Sequence, residues 1–139
     1  KNKTVFIHAD LIQGLKPDEY GIEYLIRDLK VDGILSTRGS VISLAKKNKV
    51  IAIQRLFALD SLAMNHNIKL IDNLKPDYIE VLPGVIPNII SEIKQKTGLP
   101  IIAGGLIKTE QDLKNAFDAG ASAVTTSRSE LWGLTNLKG

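Results

Sequence analysis

Short apolar runs alternate along the chain with stretches in which apolar residues recur every three or four positions. The runs fall at Thr4–Ala9, Gly33–Ser36, Val50–Gln54, Tyr78–Leu82, Pro100–Ala103 and Ala123–Thr126. Most are apolar throughout rather than alternating, as strands buried on both faces must be. Between them, Ile22, Leu25, Ile26 and Leu29 share one helical face, as do Ile86, Ile89, Ile90 and Ile93. Asp60-Ser61 before Leu62 and Thr109-Glu110-Gln111-Asp112 before Leu113 read as helix starts, with Thr109 and Asp112 spaced as a capping box. Gly98 and Gly120 read as helix stops. Strand and helix in alternation with short links predict parallel βα units.

The predicted fold is α/β: a TIM-like (β/α) barrel of parallel strands, in a single domain spanning residues 1–139. Six strands are few for a closed barrel. Because nothing near Thr4 blunts a sheet edge and the chain starts at Lys1 rather than Met, about one N-terminal βα unit is expected to be missing. Gly133–Gly139 reads as a weakly held terminus.

Composition narrows the chemistry. Forty-four per cent hydrophobic and 24% charged residues suit a globular domain, and no apolar run is long enough to span a membrane. The absence of cysteine excludes disulfides, thiolate metal sites and cysteine nucleophiles, and makes the cytoplasm the expected location. A balance of 18 basic to 15 acidic residues, +3 overall, permits an acidic partner without demanding one.

In a barrel, polar residues at the carboxyl ends of strands face the site. Here they are His8 and Asp10, Ser36 to Arg38, Gln54 and Arg55, Glu80, Gly104 and Gly105, and Thr125 to Ser127. Gly104-Gly105 and Thr126-Ser127 end the last two apolar runs in small residues with uncovered N–H groups, which is how a barrel seats phosphate. Glycine admits a close anion, and the following helix start adds partial positive charge. The ligand is expected to be a small phosphorylated molecule. On this reading Gly105→Val excludes the anion at little cost in stability, and Ser127→Ala weakens binding less because its N–H remains.

Each remaining residue has a competing structural role. His8 and Asp10 share a strand face and could form a ligand pair, but the spacing also suits a hydrogen-bonded core histidine. One histidine with scattered carboxylates is a poor metal site, so neither a metal nor another cofactor is expected. Arg38 and Arg55 follow strand runs directly and offer forks for phosphate, or salt bridges to Glu80 or Asp10. Glu80, inside an apolar strand, needs a partner whether it serves as a base or as a hydroxyl acceptor. Lys30, Lys46, Lys47, Lys49, Lys75, Lys94 and Lys96 gather toward helix C-termini, where dipole compensation explains them before nucleic acid does. No lysine ends a strand, which argues against a Schiff-base aldolase.

Several of these segments together resemble a known family. They are Ile7-His8-Ala9-Asp10-Leu11-Ile12-Gln13-Gly14-Leu15, Gly33-Ile34-Leu35-Ser36-Thr37-Arg38, Ile53-Gln54-Arg55-Leu56-Phe57, Glu80-Val81-Leu82-Pro83-Gly84, Ala103-Gly104-Gly105-Leu106-Ile107 and Val124-Thr125-Thr126-Ser127. In this order they look like the glycerol-3-phosphate-responsive antiterminators, regulators of glycerol uptake operons. The resemblance implies a barrel-like fold, family members longer at the N-terminus, binding of sn-glycerol 3-phosphate, and action on leader mRNA against transcription termination. On that basis Gly104, Gly105, Thr126 and Ser127 would hold phosphate with help from Arg38 and Arg55. Asp10 and Glu80 would accept from the glycerol hydroxyls, and His8 would orient one of them. The matched segments do not say which residues touch RNA; the basic stretch Lys46, Lys47 and Lys49 is the candidate face by charge alone, no catalytic residue is implied, and a homo-oligomer is left open. The competing class is a barrel enzyme acting on a phosphosugar or glycerophosphodiester with Glu80 and Asp10 as acid and base; fold alone does not separate the two.

Overall fold

In a computed structural model, residues 4–11, 18–58 and 61–133 are described, without the side chains of 61–63. Six strands, β1 (Phe6–His8), β2 (Gly33–Ser36), β3 (Ile51–Phe57), β4 (Tyr78–Leu82), β5 (Ile101–Ala103) and β6 (Ala123–Val124), pair in parallel in chain order. The helices between them are α1 (Glu19–Arg27), α2 (Gly39–Lys47), α3 (Ser61–Leu74), α4 (Pro87–Thr97) and α5 (Glu110–Asp118). The sheet curls into part of a TIM-like barrel, with β1 and β6 at its edges.

Alternation along each strand divides the core from the site. Ile79, Val81, Ile101 and Ala103 point outward and pack with Ile68, Ile71, Ile90, Ile93 and Ala116 of the covering helices. Ile34 and Ala52 do the same against Ile22, Leu25, Val41, Ile42 and Ala45. Each such isoleucine or leucine contributes about 1.5–3 kcal/mol of transfer free energy. The residues between them, including Arg55, Glu80 and Ile102, therefore face the concave side.

Three boundaries differ from the sequence reading. β3 runs on to Phe57, so Arg55 lies within the strand and not after it. β6 stops at Val124, leaving Thr125 and Thr126 in the following loop. Leu29 lies beyond the end of α1 and is 52% exposed, because the chain has already turned toward β2. Thr109 and Asp112 do form the capping box of α5. Asp60 and residues 134–139 lie outside the described residues, as do Ile12 to Leu15.

Helix ends toward the amino ends of the strands repeat one turn. Val31 N–H donates to Leu25 O and Val50 N–H to Ala45 O, each at 3.2 Å, closing α1 and α2 over a left-handed residue. That residue is Lys30 (φ 53°) after α1 and Lys49 (φ 59°) after α2; Lys75 (φ 50°) follows α3, whereas α4 uses Gly98 (φ 68°). A left-handed backbone costs a non-glycine residue about 1–2 kcal/mol. A cation at a helix C-terminus returns about 0.3–1 kcal/mol. Three lysines therefore occupy turns that glycine would fill at lower energy.

Candidate functional site

At the carboxyl end of the sheet, the loops after β5 and β6 enclose a cleft of about 490 Å³. Gly105, Leu106, Ile107 and Lys108 line one side, and Thr125, Thr126, Ser127 and Arg128 the other. Among the described residues, the backbone N–H groups of Gly105, Leu106, Ile107, Thr126 and Ser127 have no acceptor. Gly105 (φ 79°) and Leu106 (φ 63°) are both left-handed. For a bulky, 60% exposed leucine this is backbone strain, of the kind that collects at binding sites. The opposite loop is braced from below. Thr126 Oγ1 donates to Ile107 O at 2.7 Å and accepts from Arg128 N at 3.1 Å, and Trp132 Nε1 donates to Thr126 O at 2.8 Å.

The predicted phosphate residues divide here. Gly105, Thr126 and Ser127 line the cleft; Gly104 does not. Its N–H is bonded to Val81 O at 2.9 Å. A Cβ there would lie 2.7 Å from Thr125 Oγ1 and 3.1 Å from Glu80 Oε2, so this glycine makes room for those side chains and not for an anion. The start of α5 is also already occupied, since Asp112 accepts from Lys108 N at 3.0 Å and Thr109 N at 3.1 Å. The Lys108 backbone bond, ahead of the opposing burial and the Thr109 bonds, holds its carboxyl below the ordinary value. No α-helix follows β6 among the described residues, only a 3-10 turn at Ser129–Leu131. The cleft therefore offers loop N–H groups and side-chain cations rather than a helix dipole. Finally, φ 79° at Gly105 makes any side chain strained, so Gly105→Val should lower stability as well as block the cleft, contrary to the sequence expectation.

The arginines expected at the phosphate do not line this cleft; Lys108 and Arg128 do. Arg55 stands directly across from Glu80 in the β3–β4 register, and burial makes them an ion pair. Arg55 Nε and Nη2 both lie 2.7 Å from Glu80 Oε1, with side chains 22% and 4% exposed. Glu80 Oε2 accepts from Thr125 Oγ1 at 3.3 Å. Thr125 thus joins the ion pair to the cleft wall, a link the sequence list held only as a strand-end residue. Arg38 instead sits at the N-cap of α2, exposed, with its N–H donating to Ser36 Oγ at 3.0 Å.

Asp10 is engaged by its own chain. Its Oδ1 accepts from Ser36 Oγ at 2.6 Å, and its Oδ2 accepts from Thr37 N and Thr37 Oγ1 at 2.8 Å each. Gln54 Nε2 holds the same loop from the other side through Thr37 O at 3.1 Å. Partial burial would raise the Asp10 pKa, but the Ser36 bond, the two Thr37 bonds and the nearby His8 outweigh it and leave it lowered. A lowered folded value means this clamp stabilises the protein above about pH 4 and is lost as pH falls through the folded pKa. Asp10→Ala is expected to cost about 2 kcal/mol at pH 7 by chemical denaturation, with the difference from the parent shrinking below pH 4. A constant difference across that range would show that the charged clamp does not form. Beside it, His8 has both ring nitrogens buried with no partner among the described residues.

The lysines expected to bind RNA also separate. Lys46 Nζ is 3.5 Å from Asp77 Oδ1 and Lys47 Nζ is 3.6 Å from Glu19 Oε1, whereas Lys49 has no ion pair among the described residues. No helix among the described residues is long and apolar enough to cross a membrane.

Known proteins carry the same architecture. A glycerol uptake operon antiterminator regulatory protein from Listeria monocytogenes superposes with a TM-score of 0.90 at 49% identity, covering 94% of this chain and 70% of that one. A glycerol uptake operon antiterminator-related protein from Thermotoga maritima gives 0.85 at 36% identity, over 95% and 74%. An N-acetylneuraminate lyase from Mycoplasma synoviae, at 16% identity and TM-score 0.65 over 90% and 53%, shares the fold alone. Residues 1–132 match the family model described as glycerol-3-phosphate responsive antiterminator, and the chain belongs to that family.

Proposed function

We propose that this protein is a cytoplasmic regulator, without catalytic activity, that binds sn-glycerol 3-phosphate and in that state acts on leader mRNA as an antiterminator of glycerol-utilisation genes. The observation that carries the ligand half is the cleft between the β5 and β6 loops, with free N–H groups flanked by Lys108 and Arg128. Oriented N–H donors and cations around a concavity are what a phosphate dianion requires. Thr125 lines that cleft while its hydroxyl donates to Glu80, so glycerol hydroxyls extending from a seated phosphate would run toward Glu80 and Arg55. The same ion pair supports a binding role over an enzymatic one, because a carboxylate held at 2.7 Å by a guanidinium is a poor general base.

Calorimetric titration with sn-glycerol 3-phosphate, glycerol and inorganic phosphate tests the proposal. Binding of the phosphoester, with glycerol silent and phosphate much weaker, is the expected outcome. Conversion of a glycerophosphodiester or phosphosugar, abolished by Glu80→Gln, would replace this reading with the enzymatic one.

A further inference from the structure

We infer that Lys30, Lys49 and Lys75 form a docking rim for an RNA phosphate backbone, at the end of the sheet opposite the ligand cleft. The inference rests on the RNA-acting half of the proposed function and supplies its surface. The three residues hold equivalent positions, each closing a helix and leading within three residues into β2, β3 or β4. Those strands are adjacent in the sheet, so the three lysines are arrayed in order along one rim. All three are exposed.

Two independent observations separate them from the other lysines nearby. First, each adopts a left-handed backbone, where glycine is less strained and where α4 does use Gly98. After α1 and α2, helix-dipole compensation does not require a charge at that strained position, because Arg27, and Lys46 with Lys47, already supply it in the last turns; α3 has no basic residue in its own last turn, so Lys75 also serves that helix end. Second, their ammonium groups are unpaired among the described residues, whereas Lys46, Lys47 and Lys96 pair with Asp77, Glu19 and Glu92, and Lys94 donates to Gly120 O at 3.0 Å. Of the nearby carboxylates, Asp32 accepts from Val5 N and Asp77 from Ala52 N, while Asp28 and Asp72 are exposed and pair with none of the three lysines among the described residues. The rim therefore presents free positive charge at the expense of backbone strain.

The chemistry favours RNA over a protein partner. A protein interface needs an apolar anchor, and the exposed large apolar side chains at this rim, Leu29 and the Val5 bonded to Asp32, are confined to the Lys30 end; none adjoins Lys49 or Lys75 in sequence. A row of single ammonium groups instead matches a row of phosphates, and neutralising them releases counterions.

The left-handed geometry supplies the test. Changing all three to glycine removes the charge while relieving strain, so Lys30→Gly/Lys49→Gly/Lys75→Gly should melt at the same temperature or higher. Fluorescence anisotropy with a labelled single-stranded (U)20 RNA, in saturating sn-glycerol 3-phosphate, should show at least a tenfold loss of affinity at about 100 mM salt, with the slope of log K against log salt shallower by about 2. Lys46→Ala/Lys47→Ala/Lys96→Ala removes the same net charge from paired lysines and should retain most of the affinity. Equal RNA binding by the parent and the glycine variant, or equal losses in both variants, would overturn the rim assignment alone. Absence of RNA binding by the parent would overturn the RNA half of the proposed function with it. Unchanged calorimetry with sn-glycerol 3-phosphate in the glycine variant would show the ligand cleft to be untouched.

Discussion

Arg55→Leu is expected to be the most damaging single substitution on the concave face, costing about 4 kcal/mol of stability. It strands the Glu80 carboxylate, 4% exposed, with only Thr125 Oγ1 at 3.3 Å as a partner. Glu80→Leu should cost less, because the Arg55 side chain is 22% exposed and water can reach its guanidinium. Replacing both with leucine should recover most of the loss, since a buried ion pair is worth little more than apolar packing of similar volume. Denaturant melts of the two single variants and the double variant complete the cycle. If the losses simply add, Arg55 and Glu80 are energetically independent and the 2.7 Å contact is not what holds this face together.

The second large effect belongs to the cleft. Lys108→Ala/Arg128→Ala is expected to weaken sn-glycerol 3-phosphate binding by roughly 100-fold, about 3 kcal/mol for two charge-assisted contacts. Both residues are exposed, and Arg128 gives up only a surface pair with Glu130 at 3.5 Å, so the melting temperature should hardly move. Ser127→Ala should weaken binding far less, because its backbone donor remains. Gly105→Val should abolish binding and lower stability together, through the left-handed backbone at φ 79°. Calorimetry beside thermal melts separates these cases. Wild-type affinity in the double variant would move the phosphate out of this cleft.

Much of this architecture is legible in the chain. The runs at Gly33–Ser36 and Tyr78–Leu82 coincide with β2 and β4, because strands covered on both faces are mostly apolar, with Ser36 and Glu80 the buried polar exceptions. Thr109 and Asp112 mark the start of α5 because a capping box is a local interaction, complete within four residues. The small residues after β5 and β6 likewise marked where a cleft would open. Gly105 and Ser127 are both in its wall.

What the sequence did not determine are the pairings across strands. Gly104 and Gly105 are the same residue in neighbouring positions; the Glu80 side chain, arriving from β4, makes the first a spacer, while the loop's left-handed turn makes the second part of the cleft. Arg55 read as a strand-end residue until two further residues, Leu56 (buried against the helices) and Phe57, extended β3 past it and placed it opposite Glu80. Asp10 looked available to a ligand until folding brought Ser36 and Thr37, 26 and 27 residues away, onto its oxygens. Periodicity and capping act within a few residues, so a sequence can carry them by itself. Register between parallel strands is decided by packing of the whole sheet against its helices, and it alone chose which charges are neutralised within the barrel and which are left for a ligand.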